Sequence, residues 1–137
     1  MPSRIDTVLA AAREKLTRIE AADVPDAVTA GALLVDIRPA AQRAEEGDVA
    51  AALVIERNVL EWRCDPTSEA RRPEAVDDDV RWIVLCSEGY TSSLAAAALV
   101  DLGLHRATDV IGGYKALKSA GVLDRLDASF VGAQQRP

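Results

Sequence analysis

Along the chain the spacing of apolar residues changes period repeatedly, and each change marks an element. Ile5, Val8, Leu9, Ala12 and Leu16 recur at helical spacing, which predicts an amphipathic N-terminal helix. Residues 22–31 predict a short helix closed by Gly31, and residues 32–36 form a compact apolar run of buried-strand length. The alternation continues with helix over 39–46, strand over 52–55, strand over 80–85, helix over 92–102, strand over 110–111 and helix over 114–120. Strands that alternate with helices imply a parallel sheet with helices on both faces, an α/β fold. Residues 56–79 break the pattern with charges, Pro66, Pro73 and an acidic run at 77–79, and are expected to be a long surface connection. Neither an internal repeat nor a linker divides the chain.

At 137 residues and 49% apolar content, one domain can build its own core without metal or disulfide staples. The longest apolar stretch, residues 94–100, is far shorter than the roughly 20 residues that cross a bilayer. The N-terminus lacks a basic-then-apolar signal pattern, so a cytoplasmic protein is expected. A formal charge of −6 argues against nucleic acid or an anionic membrane as partner and favours a small molecule or a protein. Cys64 and Cys86 form no CxxC pair, and His105 is the one histidine. No metal site is indicated. The carboxylates at 77–79 also lack the alternating oxygen spacing of a calcium loop.

The most informative segment runs from Arg81 through Trp-Ile-Val-Leu to Cys86, then Ser87-Glu88-Gly89-Tyr90-Thr91-Ser92-Ser93, then an alanine-rich helix. A solitary cysteine is most often a small buried hydrophobe. Here, however, it stands at the carboxyl end of a parallel strand, where such sheets form their ligand crevice. Ser92 or Ser93 is expected to cap the following helix, whose N-terminal N–H groups face back toward the loop. Backbone donors around a sulfur favour its negatively charged form. Gly89 allows a tight turn, Tyr90 is a candidate pocket wall, and Ser87, Thr91 and Ser92 are candidate hydroxyl donors to an anionic substrate. Glu88, which would oppose a second anion, is counted with the substrate-binding loop but read as solvent-facing unless the acceptor is cationic.

Four separated motifs then resemble the rhodanese family, across roughly residues 16–121. Leu34-Val-Asp-Ile-Arg38 looks like the family's strand ending in Asp-x-Arg. Glu46-Gly-Asp-Val-Ala-Ala-Ala-Leu-Val-Ile55 resembles its Gly-His-Ile-Pro-Gly-Ala segment, with Asp48 in place of the histidine and Ala50-Ala51 in place of Pro-Gly. The loop from Cys86 to Ser92 matches the active loop in order, and Val110-Ile-Gly-Gly-Tyr114 resembles the Gly-Gly-aromatic turn. The resemblance implies a three-layer fold around a five-stranded parallel sheet, residues 16–125, with residues 1–15 an appended helix and 126–137 a tail. It also implies a sulfurtransferase or sulfur carrier in which Cys86 forms a persulfide and passes sulfane sulfur to a thiophilic acceptor. The donor would be thiosulfate, a low-molecular-weight persulfide or a protein persulfide, and no metal or organic cofactor is implied. Five residues lie between Cys86 and Ser92, as in sulfurtransferase loops; related phosphatases have one more and a terminal arginine.

Thr91 stands where many family members carry an arginine, leaving the loop without its own cation. Arg57 and Arg63 follow the 52–55 strand on a connection that either reaches the crevice and supplies that charge or lies in solvent, with Leu60 and Trp62 packed beneath. Asp36 and Arg38 read as a pair fixing a strand-to-helix turn, and Gly112 and Gly113 as backbone positions beside the crevice. Cys64 is either an incidental thiol or a resolving partner for Cys86. Two other function classes stay open: a catalytically quiet binding or regulatory module, and a redox sensor using both cysteines. Oligomeric state is not legible in the sequence.

Overall fold

A computed structural model describes residues 1–127. Its α-helices include α1 (Arg4–Glu14), α2 (Val24–Thr29), α3 (Ala40–Glu46), α4 (Leu60–Cys64), α5 (Thr91–Asp101) and α6 (Gly113–Ser119), and residues 123–127 are also helical. They surround strands β1 (Leu33–Asp36), β2 (Leu53–Val54), β3 (Trp82–Leu85) and β4 (Thr108–Asp109), paired in parallel in the order β2-β1-β3-β4. Most of the expected tail, residues 128–137, lies outside the described residues.

The sheet has four strands where five were expected. The fifth position, beyond β4, is a single parallel bridge between Ile19 and Val110, held by Ile19 N–H to Asp109 O at 3.1 Å and Ile111 N–H to Ile19 O at 2.9 Å. Glu20 and the 3-10 turn Ala21–Asp23 follow at once, so the chain leaves the edge after one residue. The last strand also lies two residues earlier than its apolar pair suggested. β4 is Thr108–Asp109, whose polar side chains are fully paired within the fold.

Alternation along the central strands divides the core. Leu34, Ile83 and Leu85 pack on one face with Val24, Val110, Tyr114 and Leu117. Val35, Trp82, Val84 and Cys86 pack on the other with Leu60, Cys64, Ala95, Ala96 and Leu99. Successive side chains of a strand point to opposite faces, so a run buried on both sides must be apolar throughout, as residues 82–86 are. The small side chains of α5 allow its close approach: Ala95, Ala96 and Leu99 are fully buried.

The long connection is less open than its composition suggests. Leu60 and Cys64, four apart on α4, turn inward and are fully buried, whereas Trp62 between them is 59% exposed and does not anchor it. At the N-terminus, a capping box between Ser3 and Asp6 starts α1, which docks on α5 by its last turns. Ala12 is buried there, while Ile5 and Val8 at the free end are exposed. At the other end of the described chain Leu126 is fully buried in the core.

Candidate functional site

Cys86 directly follows β3, with its neighbour Leu85 paired in register with Asp36 at the end of β1. Its side chain lies in the α5-side core, and the residue is only 5% exposed. The chain then turns through Ser87–Tyr90 into α5. Gly89, at φ +83°, donates its N–H to Cys86 Sγ at 3.2 Å. The N–H groups of Ser87, Glu88, Tyr90, Thr91 and Ser92 find no acceptor among the described residues. Five free donors and one sulfur-directed donor therefore belong to one six-residue stretch, the loop and the first turn of α5, a concentration of positive dipole ends that suits an anion.

The Gly-Gly-Tyr turn holds this loop from the side. Tyr114 N–H donates to Cys86 O at 2.8 Å and Lys115 N–H to Ser87 O at 3.0 Å, so the first turn of α6 satisfies the loop's carbonyls. That approach needs Gly113: at φ +62°, a Cβ there would strike the Cys86 carbonyl oxygen and come within 2.8 Å of Gly89 N. Gly89 is equally confined, since its Cβ would lie 2.8 Å from Gly112 N.

The Asp-x-Arg motif also reaches the loop, through a relay that includes Tyr114. The fully buried Arg38 side chain donates to Asp36 Oδ2 at 2.7 Å, to Glu46 Oε1 at 3.1 Å and to Gly47 O at 2.9 Å. Arg38 N–H also donates to Asp36 Oδ1 at 3.0 Å, closing the strand-to-helix turn. Tyr114 stacks on this guanidinium, 4.2 Å from its ring centroid, and donates its hydroxyl to Glu46 O. Glu46 in turn accepts the Ser87 hydroxyl at 2.6 Å. The Ser87 hydroxyl and the Arg38 guanidinium hold the Glu46 carboxyl below the usual carboxylate range.

Several candidate roles change with the geometry. Ser92 and Ser93 cap nothing: Tyr90 is the N-cap and no side chain caps α5. Their hydroxyls instead donate to Asp109 Oδ2 at 2.8 and 2.7 Å, because a buried carboxylate on β4 is a stronger acceptor than the helix end is a donor in need. Ser92 and Ser87 thus face the site through backbone N–H alone, and Thr91 is the loop hydroxyl left exposed. Glu88 is solvent-exposed, as expected, and pairs with Lys115 at 2.6 Å. Arg57 is engaged by Glu61 at 2.8 Å and Arg63 by Ala70 O at 2.7 Å, both on their own connection. Tyr90 is 59% exposed at the rim.

Cations reach the loop from the N-terminal segment instead. Arg13 of α1 donates to Gly89 O at 2.7 Å and to Ser93 Oγ at 3.1 Å, with its guanidinium 5.7 Å from the Tyr90 ring centroid. Arg18 donates to the same carbonyl at 3.1 Å while holding Asp109 with Nε at 2.8 Å. Sequence reading missed these residues, along with Asp109, Glu46 and Lys115. Two signals were present: Arg13 lies four after Leu9 and three before Leu16 on the apolar stripe of the N-terminal helix, and Asp109 directly precedes the apolar pair Val110-Ile111 at a strand.

Cys64 is fully buried, and burial pushes its thiol up to about 12. A resolving thiol must reach its partner as thiolate, so Cys64 is poorly suited to that role. Both cysteines are free. Among the described residues no cluster of His, Cys, Asp or Glu is arranged to hold a metal, and no helix is long and apolar enough to cross a membrane.

Comparison with known proteins agrees with this architecture. A protein of unknown function from Rhodopseudomonas palustris, described as a possible tyrosine phosphatase, is 27% identical with a TM-score of 0.76, covering 88% of this chain and 96% of its own. A rhodanese-related protein from Thermoplasma volcanium is 25% identical with a TM-score of 0.59, over 76% and 92% of the two chains. The reduced CoADR-RHD protein of Bacillus anthracis shares the fold at 20% identity and a TM-score of 0.64; 82% of this chain matches 18% of that longer one. No curated protein matches the chain. The family model described as Rhodanese-like domain matches residues 19–120, from the edge bridge through α6, and with that span and this parallel three-layer fold the chain belongs to the rhodanese-like domain family.

Proposed function

We propose that this domain is a sulfurtransferase or sulfur carrier in which Cys86 holds sulfane sulfur as a persulfide. The observation that carries this reading is the cysteine loop: Sγ accepts one N–H, and five further N–H groups have no acceptor among the described residues. Cys86 thiolate attacks the outer sulfur of thiosulfate or of a persulfide donor, forming one S–S bond as another breaks. Sulfite or a thiolate departs with the electron pair. A second nucleophile, a thiolate or cyanide, then takes the outer sulfur and Cys86 leaves as thiolate. Each step exchanges one S–S bond for another or for S–C, so electrons balance without an external oxidant, and backbone dipoles stabilise the anionic persulfide between steps.

Phosphoryl transfer, suggested by the description of the Rhodopseudomonas protein, is served less well. Residues 87–93 contain no arginine to grip three phosphoryl oxygens, and the fully buried Asp109 is committed to Arg18, Ser92 and Ser93. The partner that follows from the same chemistry is a small sulfur donor or a protein persulfide, and the net charge of −6 argues against nucleic acid or an anionic membrane.

The test is mass spectrometry of the protein incubated with thiosulfate or glutathione persulfide, before and after cyanide, beside Cys86→Ser and Cys64→Ser. A cyanide-labile gain of one sulfur, lost in Cys86→Ser and kept in Cys64→Ser, is expected. Failure of both donors to load wild-type protein whose Cys86 thiol is free would overturn the reading and favour a binding module. Linkage of the two cysteines under oxidant would favour a redox sensor.

A further inference from the structure

We infer that α1 is a working part of the cysteine site, with Arg13 a positioning residue that acts on Cys86 through the Gly89 carbonyl. The inference rests on the reading of Cys86 as the reactive group, but not on which atom it receives. Arg13 and Arg18 both end on Gly89 O, at 2.7 and 3.1 Å. Arg18 is also paired with the buried Asp109 carboxylate, which explains its presence structurally. Arg13 has no carboxylate partner among the described residues; its donors go to Gly89 O and Ser93 Oγ, and its guanidinium lies near the Tyr90 ring. Its charge is directed at the cysteine loop rather than at an acid.

The consequence follows from peptide geometry. The Gly89–Tyr90 peptide is trans, so its N–H points opposite to its C=O. Holding Gly89 O toward the arginines therefore turns the Tyr90 N–H, one of the free donors, to the other side of the peptide plane. On the preceding peptide, the Gly89 N–H is already directed at Sγ. Gly89 has the freedom of a glycine at φ +83°, so without an external hold the Gly89–Tyr90 peptide can rotate and withdraw its donor. A cation on the carbonyl oxygen also polarises the peptide and strengthens its N–H as a donor. The loop's own residues 87–93 carry no cation, and α1 supplies one from outside.

The experiment measures the rate of Cys86 alkylation by iodoacetamide against pH, in a Cys64→Ser background, for Arg13, Arg13→Lys, Arg13→Gln and Arg13→Ala. Thermal unfolding and sulfur loading are recorded on the same samples. Lys15→Ala, which removes the Lys15–Asp101 pair between α1 and α5 but leaves Arg13, serves as the docking control. Arg13→Ala is expected to slow alkylation at neutral pH about fivefold and move its pH profile upward, as loss of a charge-assisted hold implies. Arg13→Lys should restore part of the rate, and Lys15→Ala should leave it unchanged. An unaltered alkylation profile in Arg13→Ala, or an equal slowing in Lys15→Ala, would overturn the inference and leave α1 a structural prop. Since alkylation needs no sulfur donor, a protein that never loads sulfur but shows the Arg13 dependence would sink the sulfurtransferase reading alone.

Discussion

Gly113→Ala separates backbone strain from the packing that holds the cysteine loop. Two costs add. An L-residue at φ +62° costs about 1 kcal/mol relative to glycine. The new methyl also meets the Cys86 carbonyl oxygen, Gly89 N and the Ser87 carbonyl carbon, the last two at 2.8 Å, with no flexible side chain to yield. Overpacking of this kind costs about 2 kcal/mol more. The sum of about 3 kcal/mol lowers Tm by about 10 °C for a domain of this size. Gly121→Ala is the matched control: φ is +70° but nothing lies within 4 Å, so only the conformational cost of about 1 kcal/mol applies. Thermal unfolding of both variants gives the difference, and Cys86 alkylation reports whether the loop has moved, since the clash falls on the peptides that carry Gly89 N–H to Sγ. Equal Tm losses in the two variants, with Cys86 reactivity intact in Gly113→Ala, would refute the claim that α6 and the loop are in hard contact.

Other perturbations test the supports around the site. Asp109→Ala strips the acceptor from Arg18, Ser92 and Ser93 at a fully buried position and should cost about 3–5 kcal/mol in urea unfolding. Cys64→Ser places a hydroxyl in the fully buried α4 position; about 1–3 kcal/mol of stability should be lost while cyanide-labile sulfur on Cys86 persists. Because the folded Glu46 carboxyl is held below its unfolded value, its contribution to stability is present above the unfolded value and lost as pH falls toward the folded one. The stability advantage of wild type over Glu46→Gln should therefore be full at neutral pH and shrink as pH falls through and below the ordinary carboxylate range, as urea midpoints at each pH would show.

How much of this protein was legible in its sequence depends on the range of the interaction concerned. The β1 and β3 runs, the cysteine at the end of β3, the Asp36–Arg38 turn and the Gly112-Gly113 bend were all readable, because each is set by local apolar period, chain reversal or neighbours two residues apart. The membership of Cys86 in a strand-loop-helix unit is of the same kind. Tertiary structure alone decided what faces the loop. Ser92 and Ser93 turned from helix capping to Asp109, sixteen or seventeen residues away, since a buried carboxylate must be saturated with donors. Arg57 and Arg63, adjacent in sequence to a strand end, stayed on their own connection, while Arg13 and Arg18 arrived from more than seventy residues away. The fifth strand shrank to one bridge for a reason of the same order: pairing at the sheet edge ends where the chain must turn into the 3-10 segment that covers the core. Periodicity records which side of an element is buried; it carries no record of which distant charge that burial brings into contact.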